Sequence, residues 1–213
     1  MGLTSRLEIH PPAFYRMLYP HALWRVPTME RHVYLTFDDG PSPQVTPHIL
    51  DILQRHNARA TFFMVGENAF RHPELVEQVL AHGHSVGNHT MHHTQGRHTT
   101  LGQYLDDVEA EASLLNTRLF RPPHGLMRRE QYKELQKQYE IVMFDIVTRD
   151  YDSRVTPQQI LENVKRYTRP GSIIVFHDSL KASPRTQNAL EPVLQWLKQQ
   201  NYECRSLPMD GKL

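Results

Sequence analysis

Short apolar runs alternate with segments of helical periodicity along most of this 213-residue chain. The predicted strands are residues 33–37, 60–65, 85–86, 119–120, 141–144, 172–176 and 202–207. The predicted helices are residues 46–56, 73–82, 101–115, 129–138, 156–167 and 190–199. Strands separated by helices form parallel sheets through right-handed crossovers, and runs without polar alternation are typical of strands buried on both faces. The alternation therefore predicts a single-domain α/β fold with about seven parallel strands.

A closed or nearly closed barrel and an open doubly wound sheet both fit this alternation. Polar clusters favour the barrel, because they follow the predicted strands: Asp38-Asp39, residues 89–93, residues 121–124, Asp150 and His177-Asp178. In β/α barrels the loops at the carboxyl ends of the strands converge on one site. We therefore predict a distorted (β/α) barrel over residues 31–213, preceded by an irregular, Pro-rich extension, residues 1–30, that packs on it.

Composition excludes several other kinds of protein. Lys and Arg number 24 against 23 Asp and Glu, which argues against a nucleic-acid-binding protein. The one cysteine, Cys204, permits neither an intrachain disulfide nor a Cys-rich metal site. No apolar run is long enough to span a bilayer, and the N-terminus lacks the apolar core of a signal peptide. We expect a cytoplasmic protein, or a secreted or cell-envelope protein if a leader has been removed.

Two adjacent carboxylates, Asp38 and Asp39, end the first predicted strand, and Gly40-Pro41 then turns the chain sharply. Adjacent side chains point in different directions, so one carboxylate can bind a cation while the other stays available as a base. Crowded like charges are unfavourable unless a cation or an arginine offsets them. The alternative interpretation is an ordinary loop start with a capping Asp.

His89 and His93 supply two imidazoles four residues apart, which on one helical turn can hold one ion. His92 offers a competing pair with His89 at a spacing of three, and a surface cluster in a chain with 14 histidines is the simpler alternative. Two histidines and one carboxylate would leave a position for water, as in catalytic zinc sites. Zinc lowers the pKa of bound water to about 7, which makes it a nucleophile near neutral pH.

Three further residues could complete a site. His177 follows a buried strand and could donate a proton to a leaving group, or it could be a satisfied core histidine. Asp150 could orient His177 and raise its pKa, or it could be a turn residue. Arg121, held before two prolines, could pair with Asp38, or it could form a surface ion pair of little energetic value.

The order and spacing of these residues resemble the NodB-like polysaccharide deacetylases, carbohydrate esterase family four. The resemblance covers roughly residues 31–207. Five segments carry it: residues 36–42 (TFDDGPS), 89–93 (HTMHH), 121–125 (RPPHG), Asp150-Tyr151 and residues 174–177 (IVFH). Two positions depart from the family pattern. Tyr151 stands where Trp is usual, and Val147 stands where many members have an Asp, which puts substrate preference in doubt more than activity.

The resemblance implies a role for each residue. Asp38 would be the general base, and Asp39, His89 and His93 would bind a divalent metal ion. Arg121 would orient Asp38, Asp150 would tune His177, and His177 would be the general acid. Zn²⁺ suits a His₂Asp set, although Co²⁺, Ni²⁺ or Mn²⁺ could also occupy it.

The implied reaction is hydrolysis of N-acetyl or O-acetyl groups on an oligo- or polysaccharide. Two alternatives stay open. One is a related deformylase or amidohydrolase that acts on a lipid-linked sugar or another small amide. The other is a non-catalytic sugar-binding module, which the presence of both a base and an acid disfavours. The resemblance leaves the sugar, the acyl group and the oligomeric state open.

Overall fold

The computed structural model describes residues 9–212, and in this range the strands form one parallel sheet. The strands are β1 (His32–Asp38), β2 (Ala60–Met64), β3 (Ser85–Asn88), β4 (Leu119–Phe120), β5 (Glu140–Ile141), β6 (Ile146–Val147), β7 (Ile173–His177) and β8 (Glu203–Cys204). Seven of them run in the order β5-β4-β3-β2-β1-β7-β6, and β8 pairs with the first two residues of β1. Each pairing is parallel. The predicted α/β fold with about seven parallel strands is confirmed, and its sheet curls into a half-barrel.

Helices lie between most of the strands. They are α1 (Ala13–Arg16), α2 (Thr46–Arg55), α3 (Gly66–Arg71), α4 (Pro73–Ala81), α5 (Leu101–Ala112), α6 (Arg129–Leu135), α7 (Pro157–Tyr167) and α8 (Ser183–Gln199). Capping boxes at Thr100 and Thr156 begin α5 and α7, because each Thr hydroxyl accepts a backbone N–H of the first turn. No helix within residues 9–212 is long and apolar enough to cross a bilayer.

Several elements differ from the sequence prediction, and neither α1 nor β6 was predicted. Helix α3 was not predicted, because it has only six residues and only two of them are buried, which is too few to give an apolar repeat. Helix α8 begins at Ser183 instead of residue 190, since its first turns are polar and lack an apolar repeat. The predicted strand over residues 141–144 is wrong, because the chain leaves β5 at Ile141 and crosses to β6 over residues 142–145.

The core lies on strands β1, β2 and β7, which have almost no exposed residues. The ring of Phe37 on β1 stacks between Phe62 on β2, with centroids 5.0 Å apart, and Phe176 on β7, with centroids 5.8 Å apart. Leu190, Val193 and other residues of α8 join the same buried cluster. Burial of these strands on both faces fixes the register of the sheet, because a slip by one residue would exchange its faces.

The two edge strands of the curled sheet, β5 and β6, leave a gap that the N-terminal segment occupies. The N–H of Leu23 donates to the carbonyl of Ile141 (2.8 Å), and the N–H of Val26 donates to the carbonyl of Gly171 (2.9 Å). Leu23 also bridges Val142 in parallel fashion. Residues 23–26 thus lie along the gap of the half-barrel, and the boundary between the N-terminal segment and residues 31–213 stays a prediction.

This topology brings the polar clusters to one rim. Strands β1, β3 and β7 end at Asp38, Asn88 and His177. Arg121 follows β4 directly, and Asp150 follows β6 by three residues. Because all of these strands are parallel, their carboxyl ends meet at the same edge of the sheet.

Candidate active site

Asp38 is held by a buried arginine at the end of β1. Its Oδ1 accepts a hydrogen bond from Nη1 of Arg121 at 2.6 Å, and the arginine side chain is 1% exposed. The same Nη1 donates to the hydroxyl of Thr36, while Nε and Nη2 donate to the carbonyls of Val142 and Met143. The guanidinium is therefore fixed on several sides, so it holds the carboxylate of Asp38 in one orientation.

Asp39 adopts a left-handed backbone conformation, with φ of 82°, which turns its side chain toward two histidines. Its Oδ1 lies 3.2 Å from Nε2 of His93 and 3.8 Å from Nε2 of His89. Burial raises the pKa of Asp39, but the hydrogen bond with His93 and the charge of His177 outweigh it, so the pKa lies well below its usual range. The three side chains form a group that could hold a metal ion, since one ligand atom from each lies within 4.8 Å of the others.

His89 presents a lone pair toward this group. Its Nδ1 lies 2.7 Å from the carbonyl of Arg121, and because a carbonyl only accepts, Nδ1 carries the proton. Burial lowers the pKa of His89 to about 4, so the ring is neutral and Nε2 is unprotonated near neutral pH. An imidazole whose second nitrogen donates to a carbonyl is the usual form of a metal-binding histidine.

The expected helical turn at residues 89–93 is wrong, because this segment is a loop. Thr90 and His93 have φ values of 67° and 54°, which a helix does not allow. The competing pairing through His92 is also contradicted, since the His92 side chain is 62% exposed and pairs with Asp107 at 2.5 Å. The loop conformation, and not helical spacing, places His93 beside His89, with ring centroids 5.1 Å apart.

His177 lies on the other side of the cleft and is paired with a buried acid. Its Nδ1 lies 2.7 Å from Oδ1 of Asp150, which is fully buried, and its backbone N–H donates to Oδ2 (2.8 Å). The hydroxyl of Thr186 also donates to Oδ2, at 2.6 Å. Burial lowers the pKa of His177, but the charge and hydrogen bond of Asp150 raise it by more, so that the pKa is about 9. The imidazole is therefore protonated at neutral pH.

One cleft of about 710 Å³ brings the predicted site residues together. Its lining includes Asp38, Asp39, His89, His93, Arg121 and His177, and Asp150 lies directly behind His177. The N-terminal segment supplies an apolar wall, in which Pro11, Pro12, Phe14 and Tyr15 take part. Tyr15 is anchored there, because its hydroxyl donates to the carbonyl of Gly125 at 2.7 Å. The segment is thus part of the candidate site as well as of the core.

Two buried acids support the site, and neither was given a role from the sequence. Asp178 accepts the N–H of Gly40 on Oδ1 and the hydroxyl of Thr46 on Oδ2, both at 2.8 Å, and burial raises its pKa to about 7. Glu111 accepts the N–H of His89 at 3.0 Å, and burial raises its pKa well above the usual range. The sequence feature that could have indicated Glu111 is an acidic residue on the buried face of helix α5.

His124, a neighbour of the candidate metal site, was also missed in the sequence. Its ring lies edge-on to that of His93, with centroids 4.9 Å apart, and lines the same cleft. Burial lowers the pKa of His124, which favours the neutral ring. A positive φ of 58° turns the residue toward the cleft after Pro122-Pro123.

Comparisons with known proteins agree with this geometry. The family model described as polysaccharide deacetylase matches residues 25–144. A peptidoglycan-N-acetylglucosamine deacetylase of Bacillus cereus is 34% identical over 207 residues, covering 94% of each chain. A chitooligosaccharide deacetylase of Sinorhizobium fredii is 36% identical over 199 residues, covering 84% of this chain and 91% of the relative.

Solved structures show the same likeness. The crystal structure of a peptidoglycan N-acetylglucosamine deacetylase in complex with a naphthalenyl N-oxidanyl-benzamide superposes with a TM-score of 0.86. The two sequences are 31% identical, and the match covers 95% of this chain and 98% of the other. These findings confirm the predicted family and the predicted enzyme class, a carbohydrate deacetylase. The chain belongs to the polysaccharide deacetylase family.

Proposed function

We propose that this protein hydrolyses the N-acetyl group of N-acetylglucosamine residues in a glycan and releases acetate. The observation that carries the proposal is the meeting, in one cleft, of a candidate metal-binding group with a carboxylate held by a buried arginine and an imidazole paired with a buried acid. The relatives support it, because they are named deacetylases of peptidoglycan N-acetylglucosamine and of chitooligosaccharides.

We assign a divalent cation, and Zn²⁺ in particular, to Asp39, His89 and His93. Two neutral imidazole nitrogens and one carboxylate form the donor set of catalytic zinc sites, and the lone pair of His89 already points into the group. Co²⁺, Ni²⁺ and Mn²⁺ also accept such ligands. When bound, the cation polarises the acetyl carbonyl and makes a water molecule more acidic.

Asp38 acts as the general base in this proposal. Arg121 occupies Oδ1 of Asp38, which leaves Oδ2 to accept the proton of the attacking water. The ion pair keeps the carboxylate oriented during the transfer, because both partners are almost fully buried. The water oxygen then bonds to the acetyl carbon as its proton moves to Asp38.

His177 acts as the general acid. Its Nδ1 proton is held by Asp150, so the proton on Nε2 is the one that reaches the sugar nitrogen. Protonation turns that nitrogen into an amine, which is a far better leaving group than an amide anion. The C–N bond breaks, and acetate and a free amino sugar are the products.

Acetate release and metal content test the proposal together. Asp38→Asn should lower kcat on N-acetylated chitooligosaccharides or peptidoglycan fragments by about 10²–10⁴-fold, since a positioned acid or base contributes this much. It should retain its metal, whereas His89→Ala should lose both metal and activity. Asp51→Asn, an exposed change on α2, is the control and should keep both.

Two results would contradict the assignment. Wild-type turnover by Asp38→Asn would exclude Asp38 as the base. Full metal content in His89→Ala, measured by elemental analysis, would exclude the proposed ligand set.

A further inference from the structure

A second hollow, of about 740 Å³, lies between the N-terminal segment and helix α6. Residues 17–21 of the segment line one side of it, and α6 with the turn before it lines the other. Apolar side chains of the segment protrude here, since Met17 is 77% exposed and Leu18 is 53% exposed. Exposed apolar groups that cluster, instead of lying singly, are typical of an interaction surface.

The same hollow is lined by four cationic side chains, and its lining contains no Asp or Glu: Arg97, Arg128, Arg129 and Lys133. Within residues 9–212, Arg128 is the only one of the four that pairs with a carboxylate, that of Glu130 at 3.8 Å. Arg129 and Lys133 are exposed and lie four residues apart on α6, so they share one face of the helix. We call Met17, Leu18 and the four cations the docking face. Its positive charge is local, because the whole chain has a formal charge of only +1.

Hydrogen bonds hold the two sides of the docking face together. The hydroxyl of Tyr19 donates to the carbonyl of Met127 (2.7 Å) and accepts its N–H (2.9 Å). The N–H of His21 donates to the hydroxyl of Tyr132 on α6 at 2.9 Å. The apolar groups and the cations therefore keep a fixed arrangement, which a partner can meet without ordering the segment first.

We propose that the docking face binds the surface of an anionic lipid bilayer. At such a surface, apolar side chains enter the boundary between headgroups and acyl chains while Arg and Lys stay among the lipid phosphates. A soluble polyanion would pair with the cations but would leave Met17 and Leu18 in water. An apolar protein surface would cover those two side chains but would leave the cations unpaired.

The docking face lies next to the mouth of the catalytic cleft. Phe14, three residues before Met17 in the same segment, is 67% exposed and lines the cleft. Docking would therefore hold the cleft beside the lipid headgroups. The inference goes beyond the proposed reaction and does not depend on it, because none of the docking-face residues lines the cleft.

Sedimentation with lipid vesicles tests the inference directly. The wild-type protein is mixed with vesicles of phosphatidylcholine alone and with vesicles of phosphatidylcholine and phosphatidylglycerol in equal amounts. The anionic vesicles should bind about tenfold tighter or more, since each cation near an anionic surface contributes a factor of about five. About 0.5 M NaCl should remove most of this difference, because salt screens charges at a surface.

Two double variants separate the charged and the apolar contributions. Arg129→Gln with Lys133→Gln should weaken binding to anionic vesicles about tenfold or more. Met17→Ser with Leu18→Ser should weaken it by about tenfold as well, since less apolar area enters the bilayer. All four side chains are exposed, so both proteins should keep the wild-type melting temperature and acetate release from soluble chitooligosaccharides.

Matched controls remove the same groups elsewhere. Lys165→Gln with Lys198→Gln takes two exposed cations from α7 and α8, and Met29→Ser removes an apolar side chain that is 96% exposed outside the hollow. Both controls should bind anionic vesicles as the wild type does. Because the two charge variants have the same net charge, a difference between them reports the position of the cations.

Equal affinity for neutral and anionic vesicles, or equal losses in the α6 variant and its charge control, would overturn the inference. Inorganic polyphosphate is the probe for a soluble polyanion. If it bound as tightly as anionic vesicles, and Met17→Ser with Leu18→Ser weakened neither, the lipid assignment would be wrong. Vesicle binding is measured without substrate, so its outcome is distinct from success or failure of the proposed acetate release.

Discussion

Two buried carboxylates of the cleft have different partners, and in the proposed mechanism this difference divides the proton chemistry between them. Asp38 is paired with the guanidinium of Arg121, which stays charged, so no proton is shared between them. Asp150 is paired with the imidazole of His177, which unlike a guanidinium can give up its proton and regain it. Asp38 thus remains a proton acceptor, while Asp150 favours the protonated form of His177. Different environments of this kind allow one site to contain both an acid and a base.

This division predicts how activity depends on pH. The pKa of His177 is raised to about 9, so its acidic form is present below that pH and is lost as the pH rises through it. A bound divalent cation repels the imidazolium and moves this limit to lower pH. Asp150→Asn removes the principal cause that raises the pKa, so the alkaline fall of kcat on an amide substrate should move down by about one pH unit or more.

The measurement is kcat against pH for the wild type and Asp150→Asn, each saturated with metal. Asp106→Asn, an exposed change on α5, serves as the control and should leave the profile in place. An alkaline limb that does not move in Asp150→Asn would show that another group sets it.

Residues at strand ends were predictable from the sequence, whereas those that support them were not. Asp38 and His177 follow apolar runs directly, so parallel pairing alone brings them to one rim. Asp178 and Glu111 bond to backbone N–H groups of Gly40 and His89, more than twenty residues away in each case. Such partners follow from loop conformations, which no local periodicity encodes.

Among the secondary-structure elements, buried strands and capped helices were predictable from the sequence, whereas short or polar elements were not. The apolar runs of β1, β2 and β7, and the Thr-Pro and Thr-Leu starts of α7 and α5, have strong local signals. Helix α3 and the first turns of α8 have weak ones, because their sequences carry little apolar repeat. Tertiary packing decides these elements, as it does the crossing from β5 to β6.

The close contact between the N-terminal segment and the start of β7 depends on one glycine. Gly171 has a φ of 81°, and a Cβ placed there would lie 1.9 Å from the carbonyl oxygen of Val26. Gly171→Ala should therefore reduce the free energy of unfolding by about 2–4 kcal/mol, through both the strained backbone and the clash. Thermal or urea unfolding of the purified protein measures this loss.

Gly102 provides the matched control for that substitution. It lies in the first turn of α5, and a Cβ there would meet nothing within 4 Å. Gly102→Ala should stabilise the protein by about 0.5 kcal/mol, because alanine loses less backbone entropy in a helix. If both variants were equally stable, the tight contact with Val26 would not constrain the native state.

At the scale of the whole molecule, one buried acid ties the N-terminal segment to the half-barrel. Asp145 is fully buried on the crossing from β5 to β6 and accepts hydrogen bonds from Arg16 (2.8 Å), Arg169 (2.8 Å) and Ser172 (2.8 Å). Its carbonyl lies 2.7 Å from Nδ1 of His10. The acid therefore joins the segment that lines the cleft, the sheet edge and the start of β7.

Removing the charge of Asp145 should weaken the attachment of the N-terminal segment to the sheet edge. Asp145→Asn removes the buried charge that the partly exposed guanidinium groups of Arg16 and Arg169 bind, so the free energy of unfolding should fall by about 1–3 kcal/mol. The loss should depend on pH. Burial raises the pKa of Asp145, but the hydrogen bonds of Arg169 and Arg16 lower it below its ordinary value. The stabilisation of the wild type is thus complete above the ordinary carboxyl pKa and disappears as pH falls through the folded-state pKa.

The difference in unfolding free energy between wild type and Asp145→Asn should accordingly be largest at neutral pH and shrink in acid. Because the loosened segment carries Pro11, Pro12 and Tyr15 into the cleft wall, the variant should also show a higher KM and faster proteolytic cleavage within residues 9–20. Asp51→Asn removes an exposed partner of Arg55 and should change none of these quantities beyond error. A destabilised Asp145→Asn with unaltered KM and proteolysis would mean that the acid stabilises the sheet edge alone, and that the cleft wall is held by the Tyr15 contact with Gly125.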